Sequence, residues 1–460
     1  MAGLVTAPGD GVWAPSRRRL TTGLVLTITL VAFEALAIST VMPVVADDLG
    51  GLGLYGWVFS GFFLGSLLGI VTAGQAADRR GTAVPFLVGL GLFSTGLLLG
   101  GLAVSMPMLV AARVLQGMGA GAIPAVAYAS VGRAYPPSVR PRVFAVFSSA
   151  WVIPGLIGPA ASSAIEGALS WRAVFLALLP LVVLAAVIVV PALTRSAAVP
   201  EGGESDAGAA PDRRGPAVLL AAAAAMVLAA LSGPPPALAA LMLVVSVPVA
   251  VRAFLWLVPP GTVRLAPGLP AAVMVRGMLT FAFFGADAFV SLTFQDVRDQ
   301  PTWVAGVALT GTTISWTVGA WVQQRWILTA GPRRVVTVGF LCIALGIVGM
   351  LGALGPLPLV PSVAVWSVAG LGMGLAYSPL AVVVLGLAAP GREGMASSSI
   401  QLSDVLGTAL GAGLVGAFVT FGDTHGWATR SALELALPLT LAMALAGLAA
   451  TRRLPTTLPG

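Results

Sequence analysis

Charged side chains that stand inside long apolar runs are the first candidates for chemistry in this chain: Glu34, Arg113, Asp287 and Asp404. Glu34 lies near the midpoint of a run from 20 to 45 that is otherwise uncharged. About 20 helical residues cross a hydrocarbon core of roughly 30 Å, so this acid falls near the membrane centre. A carboxylate there costs at least ~2.5 kcal/mol and usually faces a bundle interior or an aqueous cavity. A carboxyl group whose surroundings alternate between apolar and cationic can bind and release a proton.

Arg113, inside the fourth apolar run, is as costly there as Glu34. Opposite charges relieve each other, and the two residues are therefore expected to interact. A permanent ion pair that only fixes packing is the alternative to a role in proton transfer. Asp287 and Asp404 are the next acids within apolar runs and can bind a cationic substrate or a second proton. Asp404 lies close to the cytoplasmic start of its run, so a solvated position is the alternative for it.

The composition identifies the class of protein that must position these charges. The chain of 460 residues is 58% hydrophobic and 9% charged, far from the roughly 25% charged of soluble domains, which predicts a polytopic, all-α membrane protein. All 24 basic residues are arginine, which excludes a Schiff-base lysine and a lysine-containing phosphate loop. Neither a nucleophile with a base nor a metal-ligand cluster is visible, so we expect no enzyme, cofactor or metal. The arginines lie between apolar runs, which favours lipid topology over a nucleic-acid partner.

Fourteen apolar runs are predicted to span the membrane, in an arrangement of six, two and six. They lie at about 20–46, 54–77, 83–104, 107–131, 142–165, 173–194, 216–232, 235–257, 269–295, 302–324, 335–355, 360–388, 396–421 and 431–451. The predicted domains are a cytoplasmic N-terminus (1–19), a six-helix bundle (20–194), a linker (195–215), two additional helices (216–257), a loop (258–268), a second six-helix bundle (269–451) and a cytoplasmic tail (452–460).

Arginine placement predicts the orientation. Eighteen of the 24 arginines fall in alternate connections between the runs, and three fall in the others. Short cytoplasmic loops are enriched in positive charge, so both termini are predicted to be cytoplasmic. That parity allows twelve or fourteen spans but not thirteen. The basic start resembles a signal peptide, but the first apolar run is too long, which indicates an uncleaved helix.

An internal repeat links the two predicted bundles. The segment 116–121 resembles 369–374, with three glycines matched at an offset of 253 residues, and the same offset brings Glu34 onto Asp287. Duplicated halves with a substrate site between them are a recurring transporter design. The offset is not constant, since Trp57 and Trp303 differ by 246, and glycine-rich runs also match by chance.

The connection between the second and third runs carries a loop motif, Gly74-Gln75-Ala76-Ala77-Asp78-Arg79-Arg80-Gly81. It resembles the Gly-x-x-x-Asp-Arg-x-Gly signature of the major facilitator superfamily. The resemblance implies a loop that latches the cytoplasmic side and switches conformations, with Gly74, Asp78, Arg79 and Gly81 as its residues. Physically, Asp78 can oppose a positive helix N-terminus. The second half has a degraded copy in which Gln323 stands where the acid is expected.

Two further motifs strengthen the resemblance. The fourth run, with Arg113, Gln116 and Gly117, looks like the fourth-helix motif of proton-coupled members, in which the arginine is linked to proton transfer with a first-helix acid. In the fifth run, Pro154, Gly155, Gly158 and Pro159 resemble the antiporter motif of drug exporters. Glycine and proline bend this helix, which suits a hinge that lines the cavity.

The resemblance implies a major facilitator fold of the fourteen-helix drug:proton antiporter group, with two six-helix bundles and a central two-helix insertion. The expected function is proton-coupled export of amphipathic or cationic small molecules, by a monomer in the cytoplasmic (inner) membrane. Gln116, Trp316 and Gln401 are candidates for the substrate cavity. The alternatives are a transporter of one metabolite, such as a sugar, an organic acid or a lipid-like compound, and a transport-inactive sensor or scaffold.

Overall fold

A computed structural model describes residues 11–50, 54–196, 212–231, 235–424 and 426–458, and these residues form helices and connections without a strand. The helices are α1 (Arg18–Leu49), α2 (Tyr55–Arg80), α3 (Ala83–Gly101), α4 (Met106–Ala134), α5 (Arg140–Ser149), α6 (Val152–Ala168), α7 (Trp171–Leu176), α8 (Leu178–Ser196), α9 (Arg214–Leu231), α10 (Pro236–Leu257), α11 (Leu269–Asp287), α12 (Val290–Leu292) with a π-turn (Thr293–Val297), α13 (Thr302–Ala353), α14 (Leu359–Gly386), α15 (Glu393–Thr424) and α16 (Thr429–Ala450). Most of the predicted linker at 195–215 lies outside the described residues.

Ten helices among the described residues are long and apolar enough to cross a membrane. Helices suit this environment because each backbone N–H and C=O finds its partner within the same segment, where lipid offers none. Many hydroxyl side chains within them are satisfied in the same way. Thr27, for example, donates a hydrogen bond of 2.7 Å to the carbonyl of Gly23, one turn earlier in α1.

Proline and glycine interrupt one of the predicted runs and divide one long helix between two others. The run at 142–165 is divided into α5 and α6, and the break falls at residues 150 and 151. Pro154 explains why the helix breaks there, because a proline ring clashes with the carbonyl group four residues earlier, which is that of residue 150. In α13, Gly331 has φ of 77° and is followed by Pro332, so this long helix is kinked there. A positive φ is readily adopted by glycine, which has no Cβ.

The chain divides into two compact units. The first comprises Met1–Val139, Ile153–Pro260 and Ala388–Leu402, and the second comprises Arg140–Val152, Gly261–Leu387 and Ser403–Gly460. The first unit therefore holds the first residues of α15 as well as α1 to α4, and the second holds α5. Because α15 contributes to both units, its residues enter two different sets of contacts.

Glycines bring α2 and α4 into backbone contact in the first unit. A Cβ added to Gly69 would lie 1.9 Å from the Met118 carbonyl oxygen, and one added to Gly117 would lie 2.0 Å from that of Phe62. Helix association in lipid depends on such close packing, because the hydrophobic effect does not drive it there. Gly407 on α15 approaches the Gly277 carbonyl of α11 in the same way in the second unit.

Substitution of Gly69 by alanine is expected to destabilise the first unit. The added methyl group has no room, and overpacking costs about 1–3 kcal/mol, whereas alanine is intrinsically the better helix former. Gly91→Ala on α3 is the matched control, because nothing lies within 4 Å of its added Cβ. Tryptophan fluorescence of the purified protein during heating should show a lower unfolding temperature for Gly69→Ala alone. Equal unfolding temperatures for the two variants would contradict the close-contact interpretation.

Candidate functional site

A buried cluster of three polar side chains joins α1 to α4. Arg113 donates a hydrogen bond from Nη1 to Glu34 Oε1 and another, of 2.7 Å, to Gln116 Oε1. Glu34 and Gln116 are fully buried, and the Arg113 side chain is 3% exposed. The structure therefore brings together the two charges that the sequence predicts to interact, and it adds the amide of Gln116, one turn beyond Arg113 on the same helix.

The surroundings hold the guanidinium group but leave part of the cluster unsatisfied. Arg113 Nε donates to the Val58 carbonyl at 3.3 Å, and its guanidinium carbon lies 4.2 Å from the centre of the Phe62 ring. Among the described residues, neither Glu34 Oε2 nor the Gln116 amide nitrogen has a hydrogen-bond partner. Glu34 and Gln116 thus share the arginine, and one carboxylate oxygen makes no hydrogen bond among the described residues.

A second buried ion pair lies in the second unit, between α11 and α15. Arg276 donates from Nε and Nη2 to the two oxygens of Asp404, both at 3.2 Å. The Tyr377 hydroxyl of α14 donates to Asp404 Oδ2 at 2.7 Å, and the Arg276 guanidinium group lies over the Tyr377 ring. Asp404 is therefore buried in a bidentate pair rather than solvated, and both of its oxygens accept hydrogen bonds.

Asp287, at the end of α11, has different surroundings. It accepts a hydrogen bond of 3.0 Å from the indole N–H of Trp366, and no arginine lies within ion-pair distance of it among the described residues. Trp366 stacks on Phe283 with ring centres 5.5 Å apart, and Phe283 meets Trp316 edge to face at 5.6 Å. Asp287 therefore lies next to the edge of one ring of a cluster of three aromatic side chains.

The predicted switch loop holds the N-terminus of α15. Asp78 accepts hydrogen bonds of 2.7 Å from the backbone N–H groups of Gly394 and Met395, within the first unit. These amides belong to the first turn of a helix, where free N–H groups and the helix dipole favour a negative charge. Gly74 permits the approach, since an added Cβ would lie 2.5 Å from the Gly394 carbonyl oxygen.

Arg133 and Glu393 complete this contact, and neither was predicted as a site residue. Arg133, near the end of α4, donates to Asp78 Oδ1 at 3.0 Å and to Glu393 Oε2 at 3.2 Å. A third hydrogen bond reaches the Ala77 carbonyl. In the sequence, Arg133 is one of many loop arginines, and its position carries no signal that separates it from the others.

The remaining predicted residues lie on α6, on α15 and at the end of α2. Pro154, Gly155, Gly158 and Pro159 lie on α6, just after its break from α5. Ser162 on the same helix donates to the Gly158 carbonyl at 2.8 Å. Gln401 is buried on α15, in the part of that helix that belongs to the first unit. Arg79 and Gly81 stand at the end of α2, with Gly81 at φ of 75°.

The degraded loop motif of the second half makes a different contact. Gln323 donates from its amide nitrogen to the Pro141 carbonyl of α5 at 3.2 Å, and Gln324 accepts from Arg142 Nε at 2.9 Å. Gln323 is neutral, so its bond to the Pro141 carbonyl is not charge-assisted as those of Asp78 are, whereas the bond that Arg142 donates to Gln324 is.

A charged contact also lies outside the membrane-spanning segments, at the end of α1. Asp48 accepts hydrogen bonds of 3.0 Å from the Trp171 indole N–H and 2.9 Å from Arg172. These two hydrogen bonds, that of Trp171 first, lower the pKa of Asp48. The exposed pair ties α1 to the start of α7, and exposure limits its contribution to stability.

Arg276 and Tyr377 are the main residues that sequence reasoning missed. The signal for Arg276 was present, because it is an arginine inside an apolar run, and such a charge requires a partner. Asp404 was the remaining acid, but nothing in the spacing relates α11 to α15. Tyr377 carries no comparable signal, since a tyrosine in an apolar helix is ordinary.

Comparisons with known proteins agree with this architecture. The sequence model of the Major Facilitator Superfamily matches residues 24–411. A probable multidrug-efflux transporter of Mycobacterium tuberculosis is 29% identical over 479 residues, which cover 98% of this chain and 99% of that protein. A multidrug resistance protein B homolog of the same organism is 26% identical and covers 90% of this chain and 78% of its own length.

Solved structures show the same fold at low identity. The human organic anion transporter MFSD10 has a TM-score of 0.68 and 15% identity, with 95% of this chain and 99% of that chain covered. The proton:xylose symporter XylE has a TM-score of 0.64 and 14% identity, with 94% of each chain covered. Because the family model spans most of the sequence and the fold agrees with it, this chain is a multi-pass membrane transporter that belongs to the major facilitator superfamily.

Proposed function

We propose that this transporter exports amphipathic or cationic small molecules in exchange for protons, by alternating access. The observation that carries the proposal is the buried Glu34, Arg113 and Gln116 cluster, in which one carboxyl oxygen has no hydrogen-bond partner among the residues that the structure describes. The full-length similarity to a probable multidrug-efflux transporter supports the substrate class. The proposed activity moves its substrate without chemical conversion.

Glu34 is the proposed proton carrier. An apolar environment favours the neutral form of Glu34, and the neighbouring charge of Arg113 favours its charged form. Movement of α1 relative to α4 would therefore make Glu34 bind or release a proton. Gln116 can hold Arg113 when Glu34 is protonated, because its amide oxygen already accepts a hydrogen bond from the same nitrogen, Nη1. The arginine would therefore keep one neutral partner throughout the cycle.

Asp287 is the proposed contact for the positive charge of a substrate. It has no arginine partner among the described residues, and Trp366, which donates to it, belongs to an aromatic cluster with Phe283 and Trp316. Trp316 and Gln116 remain our candidates for lining the substrate cavity, together with Gln401. Asp404 stays a second candidate for proton coupling, although Arg276 and Tyr377 saturate it with hydrogen bonds.

Fourteen membrane helices with cytoplasmic termini are the proposed topology. The 52 residues of α13 extend about 78 Å at 1.5 Å per residue, more than twice the hydrocarbon core, and Gly331 divides them. Beyond the ten long apolar helices, which include α7 with α8, the division of α13 adds one span, α5 with α6 and α15 each add one, and α9 joins α10 in the insertion between bundles at 20–194 and 269–451. The proposed location is the cytoplasmic (inner) membrane, and the proposed state is a monomer.

The contact of Asp78 with the start of α15 is the proposed conformational latch. Its hydrogen bonds to Gly394, Met395 and Arg133 would have to break when α15 moves away from the switch loop. The break between α5 and α6, next to Pro154 and Gly155, is the proposed hinge.

Substitution of Glu34 by glutamine is expected to abolish proton-driven export. Glutamine keeps the shape and can hydrogen-bond to Arg113, but it cannot carry a proton. The measurement is substrate-dependent proton flux in proteoliposomes with an imposed pH gradient, where at least a hundredfold loss is expected. Glu434→Gln is the control, because this exposed glutamate pairs only with Arg430 on α16.

A double substitution separates proton transfer from a packing role. Glu34→Gln with Arg113→Gln removes both charges and so avoids the cost of a buried, uncompensated arginine. If the pair only fixes packing, the double variant should fold and transport. If Glu34 carries the proton, the double variant should fold but should not transport protons. Full proton-driven export by the double variant would reject the proposal.

Substitution of Asp287 by asparagine is expected to weaken export of cations selectively. Hydrogen bonds and contacts that involve a charge contribute about 1.5–3 kcal/mol, so KM for a monovalent lipophilic cation should rise at least about tenfold. KM for a neutral substrate of similar size should change less than about twofold. Export assays with both compounds measure the difference, and an equal change for both would show that Asp287 does not recognise charge.

Substitution of Asp78 by asparagine is expected to slow transport without weakening substrate binding. Asparagine replaces one of the two acceptor oxygens by an NH2 donor, so one backbone N–H faces a donor instead of an acceptor, and no ion pair with Arg133 forms. Transport rate and equilibrium substrate affinity are measured on the same preparation, and a several-fold loss is expected in the rate alone. Asp47→Asn is the control, since Asp47 is an exposed acid near the end of α1. An unchanged rate in Asp78→Asn would contradict the latch.

A further inference from the structure

An aromatic ring of α2 lies against the guanidinium group of Arg113. The guanidinium carbon is 4.2 Å from the centre of the Phe62 ring. The Arg113 side chain is 3% exposed, so little water screens this contact. The face of an aromatic ring is negative and attracts a cation, and the attraction is strongest where water is excluded.

Backbone contacts fix this ring and the arginine relative to each other. A Cβ added to Gly117 of α4 would overlap the Phe62 carbonyl oxygen, and one added to Gly65 of α2 would overlap a carbonyl oxygen of α4. Phe62 and Arg113 thus stand on two helices whose backbones touch beside them. Glu34 belongs to a third helix, α1, so its carboxylate can move without carrying the ring along.

The ring interacts differently with the two protonation states of Glu34. While Glu34 is charged, the ring face attracts the guanidinium group but repels the carboxylate, so its net effect on the ion pair is small. After Glu34 takes up a proton, Arg113 keeps its full charge, and its other hydrogen-bond partners are the neutral Gln116 amide and the Val58 carbonyl. The attraction of the ring for the cation is then no longer opposed, so the ring stabilises the protonated state more than the charged one.

The other charged residues on the surrounding helices of the first unit lie near helix ends. On α1, α2 and α4, the one closest along its own helix is Asp47, about 20 Å along the axis from Glu34. Helix α3 has no charged residue. Helices α7, α8 and α9 pack against α1 or α2, and their charged residues stand in the first or last turn: Arg172, Arg195 and Arg214. Among the described residues of this unit, Arg113 is therefore the charge that acts on Glu34, and groups that hold Arg113 act on Glu34 through it.

We propose that Phe62 is a positioning residue for the proton site. Its ring holds the charge of Arg113 while Glu34 is protonated, and it thereby increases the affinity of Glu34 for a proton. The inference rests on the proposed role of Glu34 as the proton carrier, and it adds an aromatic partner from α2 to the amide partner from α4.

The proton affinity of Glu34 in the purified full-length protein tests the proposal. It is measured as the pH dependence of the infrared band of the protonated carboxyl group, which is identified by its loss in Glu34→Gln. The decisive variant replaces Phe62 by a trifluorinated phenylalanine, which keeps the shape of the ring and removes the negative charge of its face. The proton affinity should fall about threefold or more, so the midpoint should move down by about half a pH unit or more. Phe62→Leu removes the ring and should move the midpoint at least as far.

The same fluorinated residue at position 63 is the matched control, because Phe63 is the next residue on α2 and is 49% exposed. It should leave the midpoint unchanged. Fluorination preserves the packing of the ring, so this variant gives the answer even if Phe62→Leu does not fold. A midpoint that fluorination of residue 62 leaves unchanged, or that both positions shift equally, would overturn the role of Phe62 and leave Glu34 as the proton carrier. Absence of a Glu34-dependent band in the native protein would overturn the proposed function, and the role of Phe62 with it.

Discussion

The cost of charge in an apolar environment is the constraint on which this structure depends. With 9% charged residues, the chain keeps few charges within its helices, and the buried ones, together with Asp287, have defined partners. Arg113 meets Glu34, Arg276 meets Asp404, and Asp287 accepts from an indole N–H. An unpaired ion would cost several kcal/mol, so these contacts determine which helix faces can meet. Glycine contacts such as that of Gly69 with the Met118 carbonyl then set how closely the same helices approach.

The two halves use related sequence elements with different chemistry. In the first half a carboxylate, Asp78, meets the exposed amides at the start of α15, and Arg133 reinforces it. In the second half a neutral amide, Gln323, meets a carbonyl at the start of α5. A carboxylate at a helix N-terminus gains from the dipole and from charge-assisted bonds, and an amide donor gains from neither. The contacts at the two loops therefore differ in strength, and the stronger one belongs to the half that keeps the complete motif.

The sequence predicted the class, most helix positions and one of the charged clusters. Apolar runs and family motifs were sufficient for these because lipid demands continuous helices and because the motifs are local. The interaction of Glu34 with Arg113 could be predicted since both charges are isolated in apolar sequence. The partners of Asp404 and Asp78 could not, because Arg276, Tyr377 and Arg133 come from helices whose neighbours the spacing does not reveal. The repeat relates Asp287 to Glu34, yet Asp287 has a tryptophan where Glu34 has an arginine, so an offset in sequence does not preserve chemistry.

Saturation with hydrogen bonds distinguishes the two paired acids. Neutralising Asp404 would disturb a bidentate contact with Arg276 and the bond from the Tyr377 hydroxyl, three bonds in all. Neutralising Glu34 disturbs the contact of one oxygen with Arg113, while the other oxygen has no hydrogen-bond partner among the described residues. Gln116 shares the same arginine nitrogen, so Arg113 would not be left alone. A reversible proton site must lose its charge without abandoning a buried cation, because an uncompensated charge is the larger cost. Glu34 meets that condition through Gln116, and Asp404 has the more complete set of bonds that suits a fixed anchor.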